Sequence, residues 1–237
     1  MHAHLPLMIW FSPGFPVGAF AYSHGLEWAC ETSEITGAAS LGDWLADLID
    51  HGSGRNDALF LIAAYQAADD PARLAGVAAL ARALAGSSER RLETCMQGDA
   101  FLTAIASAWP CAPVTAWHAA REEEAQAQGE EPEATPYPVA VGIASAGHGL
   151  PLPAVVEAYL AGFIGNLVSA AIRLGAVGQT DGQRIIAGLL PGLPERAAAL
   201  IAAHDETGLD ENLGGCAFAS DLGAIRHETQ YTRLFRS

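Results

Sequence analysis

Lysine is absent from this chain. Of its 237 residues 12 are basic and every one is arginine, against 27 aspartates and glutamates, for a formal charge of −15. Without lysine there can be no P-loop, whose lysine reaches the nucleotide phosphates, and Schiff-base, kinase-type and Ser-Lys chemistries go with it. The shortage of positive charge argues against nucleic acid, because holding a phosphate backbone takes a basic face that displaces counterions. Cysteine is scarce as well. The four, at 30, 95, 111 and 216, form no CxxC pair and no spacing typical of zinc sites. A chain this long does not need disulfides, so they read as reduced thiols of a cytoplasmic protein. The opening MHAHLPLMIWF lacks the basic n-region of a signal peptide. The best membrane candidate, Ala158 to Ile172, runs fifteen residues without a charge and falls short of the roughly 20 a span needs. It carries Asn166 and Ser169 and reads as a buried core helix. Period-2 runs of β-branched residues are missing too, and Val139 to Ile143 is too short to assign.

What is abundant is alanine, 48 residues or about one in five, which favours helix. From Ser40 the apolar positions Leu41, Trp44, Leu45, Leu48 and Ile49 make one helical face, with Ser40 and Asp43 as a capping box and Gly52 as the stop. Asp70-Pro71 opens a helix that Gly86 closes, and Ser87 or Ser88 opens another that runs through Leu92, Met96 and Phe101. Thr180 and Gln183 form a second capping box, and Pro194 starts a further helix. Half of the chain's residues are hydrophobic and 16% are charged, enough for a large core. The segment Arg121 to Pro136, with six glutamates, two prolines and a glycine, reads as a solvated acidic loop over 121–136, into which the preceding helix frays. The expectation is all-α: one domain over residues 1–237, a single bundle of roughly eight to ten helices, with a C-terminal tail over 218–237.

Three features invite chemistry. Ala21-Tyr22-Ser23-His24-Gly25 falls one residue short of the G-x-S-x-G nucleophile elbow. The segment before it, Ser12-Pro-Gly-Phe-Pro-Val-Gly18, is too rich in Pro and Gly for the central strand an elbow needs. The competing reading is a rigid turn followed by a first helix over Ala19 to Glu34. On that helix Tyr22, Leu26 and Ala29 share one face, while His24 and Glu27 lie on another. The eight histidines include no H-E-x-x-H pair, and His2 and His4 alone alternate. Neither a structural metal site nor a cofactor is expected, and nickel should bind weakly through the His2/His4 arm. Last comes the tail, where Arg226, Arg233 and Arg236 outweigh Asp221 and Glu228 by one charge, and Tyr231, Leu234 and Phe235 crowd the final seven positions. An end with this much apolar surface is either tucked onto its own body or kept for a partner.

Three blocks carry a resemblance. Ser12-Pro-Gly-Phe-Pro-Val-Gly-Ala-Phe-Ala-Tyr-Ser-His-Gly-Leu-Glu27 is similar to the opening signature of the UreF family of urease accessory proteins. Gly165 to Arg184 resembles an internal block of that family, and Ile225-Arg-His-Glu-Thr-Gln-Tyr-Thr-Arg-Leu-Phe-Arg-Ser237 resembles its ending. One departure is Ala176-Val177 before Gly178, where a Pro-Leu pair is usual, which leaves the local turn open. Any family role for a lysine cannot carry over. The resemblance implies an all-α, dimerising, non-catalytic adaptor that binds UreD (also called UreH), recruits the GTPase UreG, and acts on apo-urease so that nickel enters its active site. It places interaction surfaces on Tyr22, His24 and Glu27, and on Arg226, His227, Glu228, Gln230, Tyr231, Arg233, Leu234, Phe235 and Arg236. Two alternatives remain at this point: a regulator that lends an arginine such as Arg233 or Arg236 to the GTPase, and a serine hydrolase using Ser23.

Overall fold

A computed structural model describes residues 4–236. The described residues hold ten α-helices of ten residues or more, two shorter ones and two 3-10 turns, and no strand occurs among them. In order they are α1 (His4–Trp10), α2 (Leu26–Glu31), α3 (Ala38–His51), α4 (Ser53–Gln66), α5 (Pro71–Ala83), α6 (Ser88–Ala108), α7 (Ala112–Gln128), α8 (Tyr137–Gly147), α9 (Leu152–Arg173), α10 (Gln179–Leu189), α11 (Leu193–Thr207) and α12 (Phe218–His227). The all-α expectation holds.

Local signals set several of the boundaries. The Asp70 carboxylate accepts the Arg73 N–H at 3.1 Å with Pro71 at the first helical position, and the Ser87 hydroxyl accepts the Arg90 N–H at 3.2 Å. Two expected capping boxes are not used. α3 begins at Ala38, and the Ser40 hydroxyl turns back to the Gly37 carbonyl at 3.1 Å; α10 begins after Gly178 with no side-chain cap. The turn before α10 is made by Gly175 in the left-handed region (φ 76°), with Val177 buried, so the missing Pro-Leu pair is not needed to close it.

The core is assembled around α4, α8 and α9. α8 contains the run that was too short to assign: Val139 to Ile143 is helical and fully buried. Its Gly142 lets α4 approach so closely that a Cβ there would sit 2.5 Å from the Leu61 carbonyl oxygen. α9 has 22 residues, longer than its uncharged run. By length and composition α9 and the stretch Gln179–Thr207 would each reach across a membrane, but half of the most apolar part of α9 is buried inside this protein. α1 is pinned by Trp10, whose fully buried ring meets Phe101, Trp109 and His148 edge-on at centroid distances of 5.7, 5.9 and 5.3 Å.

The acidic segment needs correction. Residues 121–128 continue α7, which ends at Gly129 in the left-handed region (φ 70°), and only 129–136 form a loop. That loop is anchored. Arg82 pairs with Glu133 and donates to the Ala134 carbonyl at 2.9 Å, Asp99 accepts the Thr135 N–H at 3.0 Å, and the buried Thr135 hydroxyl takes the Trp117 indole N–H at 2.9 Å.

Candidate functional site: the seat of the C-terminal tail

The segment expected as one helix from Ala19 to Glu34 is broken in the middle. A 3-10 turn over Ala19–Ala21 ends in extended backbone at Tyr22, and His24 (φ 55°) and Gly25 (φ 75°) are both left-handed before α2 starts at Leu26. Composition favours continuous helix there, and tertiary packing overrides it. α12 lies directly on the backbone at Gly25, where a Cβ would fall 2.7 Å from Ala224 N and 3.0 Å from Gly223 C. Glycine is required twice over, for its φ and for the approach. The Ser220 hydroxyl reaches the His24 carbonyl at 3.5 Å across the same contact.

The break turns His24 and Glu27 inward, onto α6 and the tail respectively. His24 Nε2 lies 2.8 Å from Glu93 Oε1 and 2.6 Å from Arg90 Nη1, and its ring sits edge-on to Phe163. Burial, reinforced by the Arg90 charge, pushes the imidazole below the ordinary histidine value against the pull of Glu93. Glu93 also pairs with Arg90 and accepts from Gln97 Nε2 at 2.9 Å. This polar floor underlies a cleft of about 920 Å³ between the N-terminal segment and α9, whose walls include Met8, Phe20 and Ile186. Beside it the Asp57 carboxylate accepts the Tyr159 hydroxyl at 3.0 Å, and burial raises its pKa to about 6.

Glu27 organises the tail. Its two oxygens accept the backbone N–H of Leu234 at 2.6 Å and of Phe235 at 2.9 Å, and the second also faces His227 Nε2 at 3.1 Å. His227 Nδ1 reaches Glu89 Oε2 at 2.6 Å, and Arg233 holds the other Glu89 oxygen at 2.5 Å. Gln230 donates to Glu31, Arg236 N–H to the Ala21 carbonyl at 2.8 Å, and Glu228 caps the start of α6 through Ser88 N and Oγ at 2.8 and 2.7 Å. Those bonds from Ser88 hold the Glu228 carboxyl below its usual value. Phe235 is 4% exposed, with the Arg173 guanidinium 4.4 Å over its ring.

The residues read from the sequence therefore divide. Tyr22, His24, Glu27, His227, Gln230 and Phe235 are buried and engaged within the chain; the Tyr22 hydroxyl, for one, points to Met96 Sδ at 3.7 Å. Glu228 is partly buried. Arg226, Tyr231, Arg233, Leu234 and Arg236 face solvent, with Tyr231 fully open and Leu234 64% exposed. The tail is thus both tucked and displayed. The sequence reading missed Glu89, Arg90 and Glu93, which approach only in three dimensions. It also missed the outer stripe of α12, where Phe218, Leu222 and Ile225 are all exposed. Their spacing of i, i+4, i+7 is the signal that gives the stripe away.

Other expectations can be placed. Ser23 is fully buried and its hydroxyl accepts the Glu27 N–H at 3.3 Å, so it caps α2 instead of standing at a strand-to-helix elbow. Among the described residues no three His, Cys, Asp or Glu side chains are grouped to hold a metal. His2 lies outside the described residues, and with it the N-terminal nickel arm. All four cysteines are free, and burial raises the Cys30 thiol to about 11.

Comparison with known proteins now decides the family. The UreF family model matches residues 35–190, well over half of the chain. A urease accessory protein UreF from Xanthobacter autotrophicus is 50% identical over 98% of this chain and 90% of its own length. Those of Methylorubrum populi (47%, covering 98% of both chains) and Azorhizobium caulinodans (48%, covering 98% of this chain and 95% of its own) are similar throughout. The chain belongs to the UreF family. That makes it a urease accessory protein and not a catalytic enzyme, which removes the serine-hydrolase alternative. The family model leaves out both the block 12–27 and the tail, whereas the alignments with these relatives run along 98% of the chain.

Proposed function

We propose that this chain is a non-catalytic adaptor and chaperone subunit which, with UreD (UreH) and the GTPase UreG, assembles the nickel metallocentre of apo-urease. It works as a homodimer in the cytoplasm, and residues 1–237 act as one domain. The observation that carries this reading is the outward apolar stripe of α12, Phe218, Leu222 and Ile225, which continues in sequence into the exposed Tyr231 and Leu234. Large apolar groups held in water along one element mark a docking surface. Arg226 and Arg236, both exposed, supply charge-assisted contacts to carboxylates of the partner, and Arg233 adds one through the part of its guanidinium not turned to Glu89. We assign partner contact to Arg226, Tyr231, Arg233, Leu234 and Arg236, and support of that surface to Tyr22, His24, Glu27, His227, Glu228, Gln230 and Phe235.

Co-purification with tagged UreD tests the reading. Leu222→Asp and a Tyr231→Ala/Leu234→Ala pair should each lower capture at least about tenfold, since each removes on the order of 1.5–3 kcal/mol of buried apolar contact. Helical content should stay unchanged, and nickel-dependent urease activation should fall in parallel. Full capture and activation by both variants would move the docking surface elsewhere. A second reading, in which the chain stimulates GTP hydrolysis, is favoured by the exposed Arg236, because Arg233 is already committed to Glu89. Single-turnover hydrolysis by UreG with the parent chain and with Arg236→Ala separates the two.

A further inference from the structure

His227 is wholly buried on the last turn of α12, and both its ring nitrogens face carboxylates. A carboxylate oxygen accepts and does not donate, so each ring nitrogen needs a proton to keep its bond. A neutral imidazole carries one N–H and would aim its other lone pair at an oxygen. With both carboxyl groups ionised, only the imidazolium satisfies both contacts, 3.1 Å to Glu27 and 2.6 Å to Glu89. The surrounding charges agree. α2 contributes Glu27, α6 contributes Glu89, and the tail contributes Arg233, 2.5 Å from the free oxygen of Glu89. On either side of His227, Arg226 faces solvent and Glu228 is turned to Ser88, while Glu31 is taken by Gln230. Two negative charges and one positive leave room for one more positive charge, and loss of that proton strands an uncompensated negative charge in a buried place.

The same Glu27 oxygen that faces His227 accepts the Phe235 N–H, and its other oxygen accepts that of Leu234. We propose that Glu27, His227 and Glu89 form a proton-dependent latch for the C-terminal tail. While His227 is protonated, Glu27 is held where it receives the two tail amides, and Phe235 stays under Arg173. When the proton leaves, attraction between His227 and a carboxylate turns to repulsion, Glu27 loses its fixed position, and residues 228–236 come off the body. Glu27 and His227 are then positioning residues, acting on a partner only through the tail they seat. The latch is a property of the isolated chain, whatever the tail docks on.

Nuclear magnetic resonance on the full chain tests it, with ring-¹⁵N-labelled histidine reporting the protonation of His227 and amide protection factors reporting the tail. Protection factors already correct for the faster exchange of all amides in base. The Leu234 and Phe235 amides should lose at least about tenfold in protection as the His227 ring gives up its second proton, each being a bond to a charged acceptor. Core amides such as Leu61 and Ile143 should hold over the same range. In Glu89→Gln the side-chain amide can donate as well as accept, so it suits either state of the ring, and the pH response of the tail should shrink. His227→Gln should leave tail protection low and flat with pH. If His227→Gln does not fold, the wild-type titration and Glu89→Gln still decide. A neutral His227 ring beside a fully protected tail would overturn the latch, as would tail release that does not track that ring.

Discussion

Where α8 meets α4, contact is made through bare backbone and small apolar groups: a Cβ on Gly142 would fall 2.5 Å from the Leu61 carbonyl oxygen and 2.9 Å from Ala64 Cβ. Where the tail meets the body, the contacts include a set of charged hydrogen bonds, with Glu27, Glu31 and Glu89 receiving donors from His227, Gln230, Arg233, Leu234 and Phe235. The two seats respond to different variables. Close apolar packing depends on shape and is nearly indifferent to salt and pH. A seat of carboxylates depends on who holds the protons, and its one large apolar anchor is Phe235. The body can therefore stay rigid while the tail is adjusted, which suits the docking role proposed for it.

The sharpest way to break that comparison is to damage the body alone. Phe101 is fully buried among Trp10, Phe15 and Tyr137, with ring centroids 5.3–5.7 Å away. Phe101→Ala should cost about 3–5 kcal/mol of global stability, measured by urea unfolding. Protection of the Leu234 and Phe235 amides against local opening should survive at low denaturant. If the tail is released in the same variant under native conditions, the two seats are one cooperative unit and the contrast fails.

How far sequence reaches follows the same division. Helix starts were legible where a short side chain closes its own turn, as at Asp70 and Ser87. They were misread where the helix starts without any side-chain cap, as at α3, where the Ser40 hydroxyl turns back to the Gly37 carbonyl. The break at Tyr22 to Gly25 was hidden because nothing local demands it; α12, nearly 200 residues further along, packs on Gly25 and imposes it. Phe235 and His227 were visible as unusual residues at a chain end, but their partners Glu27 and Glu89 sit 208 and 138 positions away. No periodicity encodes such a pairing. The outer stripe of α12 was within reach, since i, i+4, i+7 spacing is a local signal.

Polar chemistry also enters the body, at Asp57, and that place offers the next test. Burial raises its pKa from 3.8 to about 6, against the opposing Arg90 charge and Tyr159 bond. With the folded value above the unfolded one, its contribution to stability is fully present below about 4 and is lost as pH rises through about 6. Above that the ionised group weighs on the fold by an order of 2–3 kcal/mol. Asp57→Asn keeps an acceptor for Tyr159 and should be more stable than the parent at about pH 7.5, with the difference fading towards about pH 4. The neutral imidazoles of His24 and His204, lowered by burial, act with the opposite sign and lose stability as pH falls below about 6.5, so the parent profile must be subtracted. A variant less stable than the parent at about pH 7.5 would show that ionised Asp57 supports Arg90 and that the body, too, runs on paired charge.

The smallest effect sharpens the comparison most cleanly, because it changes the surroundings of a charge pair and little else. Arg184 and Asp181 form an ion pair at 2.7 Å on the outer face of α10, one turn apart and with 74% and 47% of their side chains exposed. The bond is as short as several in the tail seat, yet water screens both groups and two flexible side chains must be held still to make it. Arg184→Ala should change stability by less than about 0.5 kcal/mol, and by nothing measurable in about 1 M salt. Asp181 loses little with its partner gone, since it sits in the first turn of α10, where the helix's own N–H groups favour a negative charge. Matched urea melts at low and high salt make the measurement. A loss above about 1 kcal/mol that disappears in salt would mean that charge pairing alone, without burial, fixes elements of this fold. The tail seat would then owe its hold to the number of its carboxylates and not to the enclosure of Glu27 and His227.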